Sequence, residues 1–209
     1  MKLTSDSWVD GQRIPQKYAA GRPDPASLVS FSANVNPHLA WSEVPEGTQS
    51  FALICHDPDV PSRGDDVNQP DREVPADLPR VDFFHWVLVD LPPSLSEIIE
   101  GEFSSGFTPR GKAGPATLHG ARHGVNDYTG WFASDPQMSG QYFGYDGPFP
   151  PFNDARLHHY VFTLYALSAA KLPVEGAFTG AEARAAIAGR VLAEARFSGT
   201  YTLNRRLLG

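Results

Sequence analysis

The sequence predicts a β-rich protein, formed as one domain over residues 1–209, on three observations. Three short segments combine apolar, aromatic and β-branched residues, which is the composition of buried strands. The chain also contains 19 glycines and 19 prolines, and these residues favour turns. Helical spacing is clear in one late segment only, so the chain lacks the strand–helix alternation of a parallel sheet.

The strands can be placed in chain order. Residues 1–30 are polar and interrupted by glycine and proline, which suits short strands and turns. The three central strands are predicted at residues 50–56, 83–91 and 158–167. The Asp57-Pro58 pair is expected to end the first of them, and residues 195–203 are expected to form a closing strand.

One helix is predicted over residues 180–194. Thr179 and Glu182 have the spacing of a capping box at its start. An apolar stripe at helical spacing is expected to pack on the sheet, and its members are Ala183, Ile187, Val191 and Leu192.

Two long segments separate these elements. Residues 61–79 carry four prolines and many charges, which indicates a surface loop. Residues 103–151 are rich in glycine and proline but also contain several aromatic residues. We therefore expect that segment to be packed rather than solvated.

Composition and charge exclude several classes of function. Lys and Arg number 17 against 24 Asp and Glu, and a net charge of −7 disfavours nucleic acid and anionic membrane surfaces. No apolar run resembles a leader or a membrane span, so we expect a cytoplasmic protein without integral membrane association. Cys55 is the only cysteine and is expected to be an inert buried thiol. Standard catalytic signatures and cofactor motifs are absent, so neither an enzyme nor a cofactor is expected.

Polar residues that could bind a ligand or transfer a proton cluster at the predicted strand ends. Asp57 and Asp59 follow the first central strand, His85 lies near the start of the second, and His158 opens the third. In an antiparallel sheet the end of one strand lies beside the start of its neighbours, so these side chains are expected to meet. A lone buried histidine is usually structural, and Asp-Pro-Asp is usually a turn. Convergence of several such residues favours a binding site.

Strand alternation predicts which way the two histidines face. His85 is expected on the same side of its strand as Phe83, Val87 and Val89. His158 is expected on the side of Tyr160, Phe162 and Leu164. The remaining histidines have no comparable neighbours and are interpreted as surface or local structural residues: His38, His56, His119 and His123.

Several motifs resemble those of one known family. Residues 57–63 (DPDVPSR) resemble its D-P-D-x-P box, and residues 84–89 (FHWVLV) resemble its histidine-containing central strand. Residues 144–151 (GYDGPFPP) followed by residues 157–167 (LHHYVFTLYAL) resemble its G-P-x-P-P…H-R-Y box. Taken in this order, the motifs resemble those of the phosphatidylethanolamine-binding protein family, in its bacterial Raf-kinase-inhibitor-like branch. The resemblance covers residues 30–203.

The resemblance implies an antiparallel Greek-key β-sandwich with a few peripheral helices. It also implies a small pocket for phosphate-like anions, including a phosphoethanolamine head group, and a regulatory role that modulates a kinase or a protease. Asp59 and Phe83 are expected in supporting positions. The implied ligand-binding residues are Asp57, His85, His158 and Tyr160, with Gly147, Pro150 and Pro151 as a rim.

The chemistry of such a pocket is reasonable. Two imidazoles and a phenol can donate hydrogen bonds to phosphoryl oxygens, while Asp57 can orient a histidine or accept an ammonium group. We therefore expect anion affinity to weaken as the pH rises through about 6.5 to 7.5. His159 stands where the motif has arginine, and the segment 61–82 is long and acidic.

Two other functions remain open at this point. Asp57 with two histidines is also compatible with metal-assisted or acid–base hydrolysis of phosphoesters, although no nucleophile is indicated. A protein-interaction scaffold with a vestigial pocket is the other alternative, and a homodimer is compatible with it.

Overall fold

The computed structural model describes residues 1–208, and it confirms a mainly β protein with antiparallel sheets and few helices. Two short helices, α1 and α2, span Tyr128–Trp131 and Gly180–Ile187. Single 3-10 turns lie at Gln16–Tyr18, Leu118–Gly120 and Arg205–Leu207. The strands are β1 Lys2–Thr4, β2 Gly21–Asp24, β3 Leu28–Phe31, β4 Leu39–Ser42, β5 Ser50–Pro61, β6 Arg80–Leu91, β7 Glu97–Ile98, β8 Arg122–His123, β9 His158–Leu167 and β10 Val191–Tyr201.

A five-stranded antiparallel sheet in the order β10-β9-β5-β6-β8 forms the centre of the fold. A three-stranded sheet, β1-β4-β7, packs over one face of it, and the main core lies between them, with the Trp41 and Phe51 rings 5.3 Å apart. Ala183 and Ile187 of α2 cover the opposite face, where they pack with Val87 and Val89. The layers explain why the three central strands are apolar on both faces. The Greek-key connection stays a prediction.

The first central strand is longer than predicted. The expectation that Asp57-Pro58 ends it is wrong, because β5 continues to Pro61. The β5–β6 register shifts between Asp57 and Val60, which makes a bulge there. A proline, which has no N–H to donate, is tolerated at such an irregularity.

The predicted helix over 180–194 is correct at its start and wrong at its end. The capping box at Thr179 and Glu182 is present, but α2 ends at Ile187. Gly189 has a φ of +76°, a left-handed conformation that terminates helices. Val191 and Leu192 therefore begin β10 instead of extending the stripe, and they are 41% and 42% exposed.

The two long segments behave differently from each other. Residues 62–79 form turns, and Val74 makes an isolated bridge to Asp154, which precedes β9. Residues 103–151 are packed as predicted, because Tyr142, Phe143 and Tyr145 are buried. None of the helices within residues 1–208 has the length and hydropathy that a bilayer crossing requires.

Candidate functional site

Two β-bulges position the side chains at one end of the central sheet. Cys55 pairs with Trp86 and His56 pairs with Phe84, so His85 is an extra residue on β6. The second bulge follows Asp57, which pairs with Phe83. Bulges turn side chains away from the regular alternation, and these two direct Asp57 and His85 towards the same cavity.

The bulge at His85 corrects one prediction about side-chain direction. Val87 and Val89 pack with α2 on the opposite face of the sheet, whereas Phe83 and His85 line the cavity. The expected alternation across all four residues is therefore wrong. The prediction for β9 is confirmed, because His158 is buried and Tyr160 belongs to the main core with the rest of that side of the strand.

His158 is held between two buried carboxylates. Its Nδ1 lies 2.7 Å from Asp57 Oδ2, and its Nε2 lies 3.0 Å from Asp154 Oδ2. Arg80 completes the group, with Nη1 2.6 Å from Asp154 Oδ2 and Nη2 3.0 Å from Oδ1. We call Asp57, His158, Asp154 and Arg80 the ion cluster. Its side chains are all at most 5% exposed.

The ion cluster keeps His158 charged. Burial lowers the pKa of the imidazole, but hydrogen bonds to Asp154 and Asp57 outweigh burial and raise the pKa to about 9. Burial raises the pKa of Asp154, but its bonds to His158 and Arg80 outweigh that effect and lower it. The ion cluster thus pairs two cationic side chains, His158 and Arg80, with two carboxylates. Both N–H groups of His158 are already used inside the protein.

His85 is a neutral acceptor. Its Nδ1 lies 2.8 Å from the backbone oxygen of Asp146, and a carbonyl oxygen only accepts, so Nδ1 carries the proton. Burial lowers the pKa of His85 to about 4, although the nearby Asp57 charge and the bond to Asp146 oppose that effect. The ring at neutral pH therefore has a lone pair on Nε2. That atom makes no hydrogen bond within residues 1–208.

These two pKa values correct the pH window expected from the sequence. In the free protein His85 titrates near 4 and His158 near 9, so neither changes charge between pH 6.5 and 7.5. Burial lowers the pKa of both rings. The two carboxylates that bond to His158 outweigh burial, whereas the Asp57 charge and the Asp146 oxygen near His85 do not. Sequence spacing does not reveal that difference.

Tyr160 lines the cavity beside His85, with their rings 5.1 Å apart. Its hydroxyl is buried and has no hydrogen-bond partner within residues 1–208. Burial raises the pKa of the phenol well above its usual value, and the charge of the nearby Asp57 carboxylate and its weak contact with the phenol act in the same direction, so the phenol stays protonated. That contact lacks the geometry of a hydrogen bond. Tyr128 also packs on His85, but its hydroxyl donates to the Gly147 oxygen at 2.9 Å.

The cavity has a volume of about 380 Å³. We call Asp57, His85, His158 and Tyr160 its floor. Its walls are mostly apolar and aromatic, and its mouth includes Ser62, Arg63 and Asn68 from the segment after β5. The wall residues with the largest rings are Phe31, Phe83, Tyr128, Trp131, Phe132 and Phe149. A polar end inside an apolar cavity of this size is typical of small-molecule sites.

The other expected site residues are placed as follows. Pro150 and Pro151 line the cavity, as does Phe83. Asp59 lies outside the cavity lining and ties the loop to β9. Its Oδ2 accepts hydrogen bonds from the backbone N–H of His159 at 3.0 Å and from the ring Nδ1 of His159 at 2.8 Å. The supporting role of Asp59 stays a prediction.

Gly147 is the exception among the rim residues. It lies behind the cavity lining, where its N–H donates to Asn34 Oδ1 at 2.8 Å. A Cβ at this position would lie 2.1 Å from the Tyr18 oxygen and 2.8 Å from the Tyr145 hydroxyl. Close packing of the backbone, and not contact with a ligand, requires glycine here.

Gly147→Ala is therefore expected to destabilise the fold by about 1–3 kcal/mol, the usual cost of overpacking. Urea unfolding measures this loss. Gly64→Ala is the control, because a Cβ at Gly64 meets no atom within 4 Å and the expected change is within about 0.5 kcal/mol. Equal midpoints for both variants would contradict the packing interpretation.

Asp154 and Arg80 were missed by reasoning from the sequence. Asp154 lies in the segment between Pro151 and β9, and Arg80 lies at the start of β6, with no motif around either. The neighbouring Asn153 ties the acidic segment to the same corner, because its Nδ2 donates to the backbone oxygens of Asp66, Gln69 and Arg72. The described residues include no group of three or more His, Cys, Asp or Glu placed to hold a metal ion.

Comparisons with known proteins show the family and agree with the fold. The family model of the phosphatidylethanolamine-binding protein matches residues 4–202. A UPF0098 protein of Aquifex aeolicus is 29% identical over 201 residues, covering 96% of this chain and 88% of the relative. Escherichia coli YbhB, also a UPF0098 protein, is 29% identical over 183 residues, covering 87% of each. The crystal structure of Escherichia coli YbcL, described as a new member of the mammalian PEBP family, aligns with a TM-score of 0.67 at 25% identity, covering 96% of this chain and 97% of that one.

Proposed function

We propose, since this chain belongs to the phosphatidylethanolamine-binding protein family, that its cavity binds a small phosphorylated ligand, with a phospholipid head group as one source. One observation carries the proposal. Asp57, His85, His158 and Tyr160 come together at the polar end of an otherwise apolar cavity. The Tyr160 hydroxyl and His85 Nε2 on this floor have no partner within residues 1–208.

The shape of the cavity supports an organic ligand rather than a bare ion. The floor is polar, and the aromatic walls offer surface to an apolar group attached to the phosphate. The balanced ion cluster fixes His158 and Asp57, so the floor is rigid before the ligand arrives. Rigid polar groups lose little entropy on binding, which favours affinity. Modulation of a kinase or a protease stays a prediction.

Calorimetric titration with phosphoethanolamine tests this proposal. We expect saturable binding at one site, and we expect His85→Ala to weaken it at least about tenfold, since about 1.4 kcal/mol is a modest value for a contact to a charged group. His119→Ala is the control, because His119 is an exposed histidine that pairs with Glu102 and does not line the cavity. Circular dichroism confirms that each variant is folded.

Two outcomes would contradict the proposal. Binding that is equal in the wild type and in His85→Ala would place the ligand elsewhere. Steady hydrolysis of a phosphoester, lost in His85→Ala, would make the protein an enzyme. The geometry favours binding over acid–base catalysis by His158, because both of its ring nitrogens already donate to buried carboxylates.

A further inference from the structure

The cavity floor has few hydrogen-bond donors to offer an anion. Both nitrogens of His158 donate to Asp57 and Asp154. His85 Nδ1 donates to the Asp146 oxygen, and the Tyr128 hydroxyl donates to the Gly147 oxygen. Of these groups only the Tyr160 hydroxyl, which has no partner within residues 1–208, is left as a donor.

The floor is better supplied with acceptors. His85 Nε2 has a lone pair, because the bond from Nδ1 to the Asp146 oxygen fixes the neutral tautomer. Each oxygen of Asp57 already accepts one hydrogen bond, Oδ1 from the Asp59 N–H at 2.7 Å and Oδ2 from His158. A fully deprotonated anion would therefore place oxygen lone pairs against the lone pair of His85.

The charges around His85 do not remove this conflict. Asp57 faces it from β5, His158 and Tyr160 face it from β9, and Tyr128 faces it from α1. The charge on Asp57 is matched within the ion cluster. His56 acts on His85 as a second, weaker imidazole. The Asp146 carboxylate is turned to Lys112 Nζ, at 2.6 Å.

We propose that the floor selects phosphate monoesters that still carry one proton, in preference to phosphodiesters and sulfates. This inference rests on the proposed function and narrows its ligand class. The P–OH group of the monoester donates to His85 Nε2, and a second phosphoryl oxygen accepts from the Tyr160 hydroxyl. A diester or a sulfate of the same charge has no such proton, so it binds only when His85 takes one from solution.

Three small probes separate these cases. Methyl phosphate, methyl sulfate and dimethyl phosphate are similar in size, and at pH 5.5 each is mainly a monoanion. Only methyl phosphate retains a proton there, because the second pKa of a phosphomonoester is about 6. We expect calorimetry at pH 5.5 to show methyl phosphate binding at least about tenfold more tightly than either of the others. The cost to them is protonation of His85, which titrates near 4, and one pH unit corresponds to about tenfold.

The pH profiles give a second, independent readout. Methyl phosphate affinity is expected to be flat below about pH 6 and to fall about tenfold per unit above it, as the ligand loses its proton. Methyl sulfate affinity is expected to rise by a similar factor per unit as the pH falls from 7 towards 4, because His85 then supplies the proton.

Two variants assign the discrimination to His85. His85→Gln offers an amide N–H to any oxyanion, so the preference for methyl phosphate over methyl sulfate is expected to disappear. Tyr160→Phe removes a donor that both ligands use, so both affinities are expected to fall together with their ratio unchanged. If His85→Gln does not fold, the two wild-type pH profiles decide.

The outcomes separate this inference from the broader one. Equal binding of methyl phosphate and methyl sulfate at pH 5.5 overturns the selection of protonated monoesters but leaves phosphate binding intact. Tight binding of dimethyl phosphate points to intact phospholipids and also overturns it. Methylammonium that binds as tightly as methyl phosphate would show that the floor recognises an amine. If none of the anions binds, both proposals fail.

Discussion

His158→Leu is expected to lower the free energy of unfolding by about 3–5 kcal/mol at pH 7, the usual cost of breaking a buried ion pair from one side. The substitution leaves Asp57 and Asp154, each about 1% exposed, facing each other without the positive charge between them. Arg80 still pairs with Asp154, but Asp57 loses its charged partner. Urea unfolding of the full chain measures the effect.

The neighbouring histidine provides a matched control for that substitution. His159 also pairs with an aspartate, Asp59, at 2.8 Å, but its side chain is 54% exposed. His159→Leu is expected to cost less than about 1 kcal/mol, because exposed ion pairs contribute little. Similar losses for the two variants would show that burial of the ion cluster is unimportant.

The pH dependence of the wild type checks the same interaction. The folded pKa of His158, about 9, lies above the ordinary value of 6.5, so the folded state binds this proton more tightly. Its contribution is fully present below pH 6.5 and is lost as the pH rises through 9. The change corresponds to about 3 kcal/mol. The alkaline decline should be missing in His158→Leu.

Acidification is expected to destabilise the protein as strongly as His158→Leu does, and two other histidines cause this loss. His85 and His123 are buried, and burial lowers the pKa of each to about 4. As the pH falls from 6.5 to 4 the unfolded chain takes up two protons that the folded state refuses. Each contributes a loss of about 3 kcal/mol, a large share of the 5–15 kcal/mol that stabilises a typical domain.

Removing one of the two histidines tests this explanation. His85→Gln has no titratable group at that position, so its stability should fall about half as much as the wild type between pH 6.5 and 4. Urea midpoints at several pH values give the slope. An unchanged acid slope would assign the loss to other groups, with His56 as the first to consider because burial lowers its pKa from the ordinary value of 6.5.

Much of the fold could be predicted because apolar segments and capping residues act locally. The three central strands and the start of α2 were all placed correctly from short patterns. The errors lie where a single backbone position decides. Gly189 in a left-handed conformation ends α2 early, although Val191 and Leu192 continue its apolar spacing. The bulge after Asp57 lets β5 pass Pro58.

The convergence of three side chains at one end of the sheet was predictable, but their chemistry was not. Asp57, His85 and His158 converge because antiparallel pairing brings their strand ends together. Whether a histidine nitrogen is available to a ligand depends on hydrogen-bond partners that are distant in the sequence or belong to no motif. Asp154 helps to keep His158 charged, and the backbone oxygen of Asp146 fixes the tautomer of His85. Neither partner is visible in a sequence pattern.

The bulge at His85 limits how the site can be changed or reused. One extra residue on β6, and not the identity of His85 alone, turns this imidazole away from the α2 side of the sheet. A shift of one residue would exchange the two faces. Anyone grafting this cavity onto another β-sheet must therefore copy the number of residues between the paired positions, since transplanting the floor side chains onto a regular ladder would bury the histidine beneath a helix.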